Sequence, residues 1–429
     1  MADCVPMNAP VTEFRRAALT AQIERVVAST PVTDIHTHLY DPTLGGLLLW
    51  GIDDLLVYHY LVAEAFRWLD VPPEKFWLLT KLEQSELIWN TLFLEHSPVS
   101  EACRGVLTTL HRLGLEVKKH DLPAVREWFK QWPVDTYITR CMELANVEAI
   151  FMTNSPFDSA ERPVWQKGFL RDDRFIAALR MDALLLDWPG AAGRLAGWGY
   201  QVGEGLSATT LSEVRRFLVE WTGLMEARYL MVSLPPTFAF PGSTDTTQLL
   251  EGAVLPHCRE FGLPLALMLG VRRAVNPQLR LAGDGVGPSD LNALANLCAA
   301  FPENKFLVTV LARENQHELC VLARKFPNLH IFGCWWFTNI PYLVDEITRL
   351  RLELLGTSFT VQHSDARVLD QIIYKWDHAR KVVTHVLAEK YTDLAATGWE
   401  PTAMEIERDV RNLFGGAFTR FCGPAKSLL

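Results

Sequence analysis

One arrangement recurs along this sequence and constrains its fold more than any other. In FGLPLALMLG from Phe261, FPENKFLVTVL from Phe301 and FPNLHIFGCWW from Phe326, an aromatic residue ends a helical stretch, Gly or Pro interrupts it, and an apolar run follows. A run without polar alternate positions suits a parallel strand covered on both faces, and the preceding helix suits the crossover that parallel strands require. The same search places candidate strands at 31–38, 147–153, 174–180, 229–234, 264–270, 305–311, 329–335 and 354–362. The last six are separated by segments long enough for a crossover helix, among them 211–227, 290–300 and 314–325. Eight such strands predict an α/β chain closed as a (β/α)8 TIM barrel.

The 429 residues exceed the roughly 250 of a plain barrel, so an insertion is expected. Residues 44–145 are rich in Leu, Trp and Phe at helical spacing and broken at Pro72-Pro73, Pro98 and Pro133, which predicts an α-helical subdomain inserted after strand one. The chain then divides into an N-terminal helix with strand one (1–43), the insertion (44–145) and the remainder of the barrel (146–429). The glycine-rich stretch 190–208 reads as a loop.

A formal net charge of -9, with no clustered Lys/Arg surface, argues against nucleic acid as a partner and leaves a small molecule. A few arginines pointed into one pocket can still make it attractive to an anion. No apolar run approaches the ~18 residues of a membrane span and no signal-like segment opens the sequence, so a cytoplasmic location is expected. The eight cysteines (Cys4, Cys103, Cys141, Cys258, Cys298, Cys320, Cys334, Cys422) form no C-x-x-C and read as reduced, mostly buried thiols.

The strongest chemical signal is VTDIHTHLYDP, in which His36 and His38 close strand one between Asp34 and Asp41. Alternate strand residues share a face, so both imidazoles project together at a strand end, where barrel active sites are built. The competing reading is an exposed histidine pair. A mononuclear site needs a third protein ligand and an open position. Asp365, in VQHSDARVLD after strand eight, is the candidate, because strands one and eight are neighbours in a closed barrel. An N-cap for a helix beginning near Arg367 is the alternative role for Asp365, and His363 is a competing ligand. Two imidazoles and one carboxylate suit one divalent ion, with Zn expected and Mn, Fe or Co also compatible.

An ordered series of motifs then resembles the uronate isomerases of the amidohydrolase superfamily. DLLVYHYLVAEAFRW supplies a His59-Tyr60 pair opening a helix, MTNSPFDSAE supplies Thr153, Pro156 and Asp158, and LRMDALL supplies Arg180 and Asp182. GVRRAVN gives Arg273 and Asn276, LARENQHEL gives Arg313, GCWWFTN gives Trp335, Trp336, Phe337 and Asn339, and the turn after strand eight gives Asp365-Ala366-Arg367. The chain departs from the pattern at Met268, where the family has His, at Leu234-Pro235, at Asn154-Ser155 and at Ala366. No residue of strands four to six supplies a bridging or histidine ligand for a second metal.

The resemblance implies a metal-dependent aldose–ketose isomerase that moves a proton through an enediolate on a uronic acid such as D-glucuronate or D-galacturonate. It implies metal ligation by His36, His38 and Asp365, proton transfer by Asp365 or Tyr60, and assistance from His59. Arg180, Arg313, Arg367 and Arg273 would grip the sugar acid, with Trp335 and Trp336 lining its pocket; separately, a homo-oligomer is expected. A mononuclear hydrolase or decarboxylase, and an inactive barrel used for binding, are the rival readings.

Overall fold

The computed structural model describes residues 13–423; Cys4 and the rest of the first twelve residues lie outside them. Seven parallel strands form one sheet in sequence order: β1 (Val32–Thr37), β2 (Val147–Asn154), β3 (Phe175–Arg180), β4 (Leu230–Leu234), β5 (Leu265–Leu269), β6 (Phe306–Val310) and β7 (Leu329–Ile331). Each lies within a residue or so of its predicted position, apart from β7, which ends early because Gly333 turns the chain with φ +63°. Helices such as Ala208–Met225, Asn292–Ala300 and Gln316–Ala323 make the crossovers and bury their apolar faces against the sheet's exterior. Inside the ring, Ile35, Met231, Met268, Leu307 and Phe332 form a separate apolar plug.

The eighth strand is reduced. Residues 354 and 355 end the helix Pro341–Leu355 rather than opening a strand, and Gly356 terminates that helix at φ +59°. The extended segment beyond it nevertheless closes the barrel. Thr360 bonds to Ile331 O at 3.0 Å and receives Gly333 N–H at 2.9 Å, while Asp365 N–H reaches His36 O and His38 N–H reaches Ala366 O at 3.2 and 2.7 Å. The fold is therefore a TIM-type barrel whose last position is an irregular segment bonded on both sides. That irregularity suits a site, because backbone free of a regular ladder can aim side chains.

Residues 44–145 are helical and contain no strand. The stretch 190–208 is only half a loop, since Trp188–Gly197 is a helix. Asp187 caps it by accepting Gly190 N–H at 3.3 Å, and Ala191, Ala192 and Leu195 are buried, so packing outweighs the low helix propensity of its glycines.

Asp370 ties the helical segment to the barrel, accepting Gly51 N–H at 2.8 Å and the Tyr137 hydroxyl. Burial pushes its carboxyl up to about 6 from 3.8, against the lowering by these hydrogen bonds. A raised folded-state pKa gives stability that is complete below about pH 4 and lost as pH rises through 6, worth roughly 3 kcal/mol. Asp370→Asn removes this titration, and the Tyr137 hydroxyl can reverse to accept from the amide. The stability of the Asn variant relative to the parent is therefore expected to rise by about that amount between pH 4 and 7 in denaturant titrations. A difference that stays constant with pH would discard this account.

Candidate metal centre

His36 and His38 leave the end of β1 on the same side, their ring centroids 5.3 Å apart. Asp365 reaches them from the closing segment, its backbone in the left-handed region at φ +53°. Its Oδ1 lies 3.4 Å from His36 Nε2 and 3.3 Å from His38 Nε2, and the three donor atoms fall within 4.8 Å of one another. The alternative N-cap role does not apply, because the following helix starts at Gln371 with Asp370 before it.

The electronic state of these groups fits a cation. Burial, with Arg367 nearby, holds the His38 imidazole well below its ordinary pKa, so it is neutral. Burial pushes Asp365 up, yet the adjacent imidazoles hold it below the usual carboxylate range, so it is ionised. Thr153 Oγ1 donates to Thr37 O at 3.0 Å and lies 3.1 Å from His38 Nδ1, so it is placed to accept the Nδ1–H when Nε2 faces a cation. Both ring nitrogens of His36 and Oδ1 of Asp365 are buried without a hydrogen-bond partner among the described residues. Orphaned lone pairs converging on one point are costly unless something positive fills it. The residues thus fit a divalent metal ion, and their two nitrogens and one oxygen do not select among several.

His363 is wholly buried with its ring 5.0 Å from that of His36, but it stands outside the converging donor set. Beneath the triad, Asp34 accepts Ser364 N–H at 3.0 Å and Trp376 Nε1–H at 2.9 Å, which pins the closing segment to β1.

A cleft of about 400 Å³ opens from His38, walled by Tyr40, Tyr58, His59, Arg180 and Arg367. Arg180 donates to Asp182 at 2.9 Å and comes within 3.4 Å of His38 Nδ1. His59 also lines a second cavity of about 340 Å³ with Tyr60, Trp336, Tyr374 and Lys375. Among the described residues the buried Nε2 of His59 has no hydrogen-bond partner, the buried Tyr60 hydroxyl lies beside that of Tyr58, and the His59 ring meets that of Trp336 edge-on at 5.2 Å. Trp335 belongs to the plug inside the barrel rather than to either cavity wall. Arg313 and Arg273 are not brought here. Arg313 is exposed and pairs with Glu346 at 2.8 Å, and Arg273 pairs with Asp284 at 2.5 Å.

The chain is similar to a uronate isomerase from Bacillus halodurans C-125, with 49% identity, a TM-score of 0.94, and coverage of 96% of this chain and 97% of that one. The chain belongs to the uronate isomerase family. The uronate isomerase of Thermotoga maritima (15% identity, TM-score 0.74, covering 95% and 97%) and the glucuronate isomerase of Caulobacter crescentus (16%, 0.72, covering 98% of each chain) share its fold. No protein-family model matches the chain, and a search of curated proteins finds no match. As a member of the uronate isomerase family the chain is an intramolecular oxidoreductase. Two of its departures from the family pattern, Met268 and Leu234, are apolar and fully buried at β5 and β4.

Three residues that the sequence does not mark lie in or directly behind these walls. Glu161 is buried behind Tyr40, bonded to Asn154 Nδ2 at 2.8 Å and Tyr40 OH at 3.1 Å, and burial pushes its carboxyl up to about 7. Lys375 lies 5.4 Å from the Tyr60 ring and 5.5 Å from the Tyr374 ring, its ammonium lowered to about 8 by burial. Arg280 comes from a loop after β5. None carries a local motif, and each is revealed only by what the fold packs around it.

Proposed function

We propose that this chain interconverts an aldose and a ketose form of a uronic acid such as D-glucuronate or D-galacturonate, using one divalent metal, with zinc as the occupant. The observation that carries the reading is the convergence of His36, His38 and Asp365 at the wall of a cleft that also presents Arg180 and Arg367. The 49% identity to a protein named as a uronate isomerase supports the same substrate class.

His36, His38 and Asp365 would hold the metal, which when bound would polarise a substrate oxygen as a Lewis acid. Isomerisation moves one proton between adjacent carbons, through an enediolate, and another between their oxygens. Asp365, ionised and lying against both imidazoles, is the base for the carbon-bound proton, with Tyr60 as the alternative carrier. The Tyr60 hydroxyl, buried beside that of Tyr58, would donate to or accept from a substrate oxygen. His59, with its Nε2 unpartnered and its ring lining both cavities, would assist ring opening or hold the sugar. Arg180 and Arg367 would neutralise and orient the acid group, and a carboxylate accepts the guanidinium fork bidentately. Trp336 would close the pocket against the sugar's apolar face.

The test is ketose formation from D-glucuronate and D-galacturonate by zinc-loaded protein, with D-glucose as a neutral comparison. Turnover of a uronate with kcat/KM at least about 100-fold above that for glucose is expected if a guanidinium–carboxylate interaction contributes its usual few kcal/mol. Hydrolysis or decarboxylation without ketose would replace this reading with another reaction at the same site.

A further inference from the structure

Arg280 stands in the wall of the cleft that opens from His38, on a loop that follows β5 and lies against the inserted helices. The loop is built to present it. Asn276 N–H bonds to Gly283 O at 2.9 Å across the base, and a Cβ on Gly283 would fall 1.8 Å from Asn276 O, so only glycine permits that closure. Trp77, from the inserted helices, donates Nε1–H to Gln278 O at 2.8 Å, and its ring carries the Arg280 guanidinium at 4.5 Å from the centroid. Arg280 itself sits at φ +53°, ψ -129°, a backbone state that residues with a Cβ rarely adopt. A loop closed at its base and propped by an aromatic ring is holding a strained residue in place.

The charges in the cleft show what this placement serves. Arg180 is already paired with Asp182, and Asp54, the acid on the same wall, is paired with Lys81 at 2.5 Å. Among the described residues, neither Arg367 nor Arg280 is ion-paired to a carboxylate. Arg367 is two residues from Asp365 and belongs to the metal side, whereas Arg280 belongs to the side of the insertion. We infer that Arg280, propped by Trp77, is a substrate-binding residue that joins Arg367 of the same cleft in clamping the uronate carboxylate, and that it sets the preference for acidic over neutral sugars. A carboxylate has two oxygens with about four acceptor sites, and with the Arg180 guanidinium shared with Asp182, Arg367 and Arg180 together leave part of them to another donor. The inference rests on the uronate reading above and adds to it a residue that no local motif marks.

The experiment compares the zinc-loaded parent with Arg280→Ala and Arg280→Lys. It follows KM and kcat for D-glucuronate, and titrates D-glucarate, an unreactive sugar diacid, by calorimetry. Arg280→Ala is expected to raise KM and the glucarate Kd by about 10- to 100-fold, with a much smaller change in kcat. The Lys variant, which keeps charge but loses the planar fork, is expected to fall between. The parent's KM should also climb more steeply with added salt than that of the Ala variant, because an exposed guanidinium is screened. A parent that turns over glucuronate while Arg280→Ala leaves KM and glucarate binding within twofold overturns this inference alone. A parent that neither turns over glucuronate nor binds glucarate overturns the uronate reading, and the clamp with it.

Discussion

Replacing His36 with alanine is expected to give a folded chain that retains less than about a tenth of an equivalent of metal and loses at least about 10³-fold in kcat/KM for a uronate, since Lewis-acid stabilisation is worth several kcal/mol and each 1.36 kcal/mol is tenfold. The size of the effect follows from what surrounds the ring. His36 is 1% exposed, and neither nitrogen has a hydrogen-bond partner among the described residues, so its ring bonds to nothing that a metal would not supply. The variant leaves a cavity costing about 2–4 kcal/mol, so thermal unfolding and circular dichroism must accompany the assay. Asp365→Asn separates metal binding from proton transfer. It preserves volume and one donor oxygen while removing the charge, so activity should fall by more than metal affinity does. Metal content by mass spectrometry beside kcat/KM decides the matter. Full metal with no turnover in His36→Ala would mean that the ion sits elsewhere.

The metal triad was readable because strand geometry is local. Two histidines two residues apart on a strand must share a face, and barrel closure brings the segment after the last strand beside the first. Those two rules brought Asp365 across more than 300 residues of sequence to within 3.4 Å of both imidazoles. The arginines were harder. Arg180 ends β3, where its direction is set by the sheet, and it arrives at the cleft. Arg313 and Arg273 lie beyond their strands, where loop conformation decides, and each pairs with a nearby carboxylate instead. Arg280 illustrates the reverse, since a loop closed at Asn276 and Gly283 delivers a residue that no periodicity or strand end marks.

The eighth strand was partly misread for a related reason. The apolar residues of 354–362 serve first a helix end and then an extended segment, and composition cannot tell a strand from the tail of an apolar helix. Both faces of that segment are covered, since Phe359 and Val361 on one side and Thr360 on the other are completely buried. The irregular backbone that follows, with Asp365 at positive φ, is the part no propensity predicts, and it carries the third ligand.

Gly333→Ala is expected to be the most damaging single methyl addition near this centre. Gly333 sits at φ +63°, and a Cβ there would lie 1.9 Å from Cδ2 of His363 and 2.7 Å from its Cγ and Nε2. The backbone cannot yield easily, because Gly333 N–H bonds to Thr360 O at 2.9 Å and its carbonyl accepts Arg351 Nη1 at 2.8 Å. The His363 ring must therefore move, and it is bounded by Phe332 at 5.4 Å and by the metal-ligand candidate His36 at 5.0 Å. Left-handed backbone costs an alanine about 1–2 kcal/mol, and forced repacking of a filled interior adds about 1–3, so a loss near 3 kcal/mol is expected. Gly114→Ala supplies the comparison. Its φ is +87° with nothing within 4 Å of the added Cβ, so it incurs the backbone cost of about 1 kcal/mol without the collision. Denaturant unfolding of the two variants, with a chelator competition for metal affinity, separates strain from displacement. Gly333→Ala should lose at least about tenfold in metal affinity, as when a residue orienting a ligand is disturbed, while Gly114→Ala keeps the parental value. Equal unfolding losses and equal metal affinities would show that His363 gives way without disturbing His36, and that the histidine behind the triad is filler rather than a support for it.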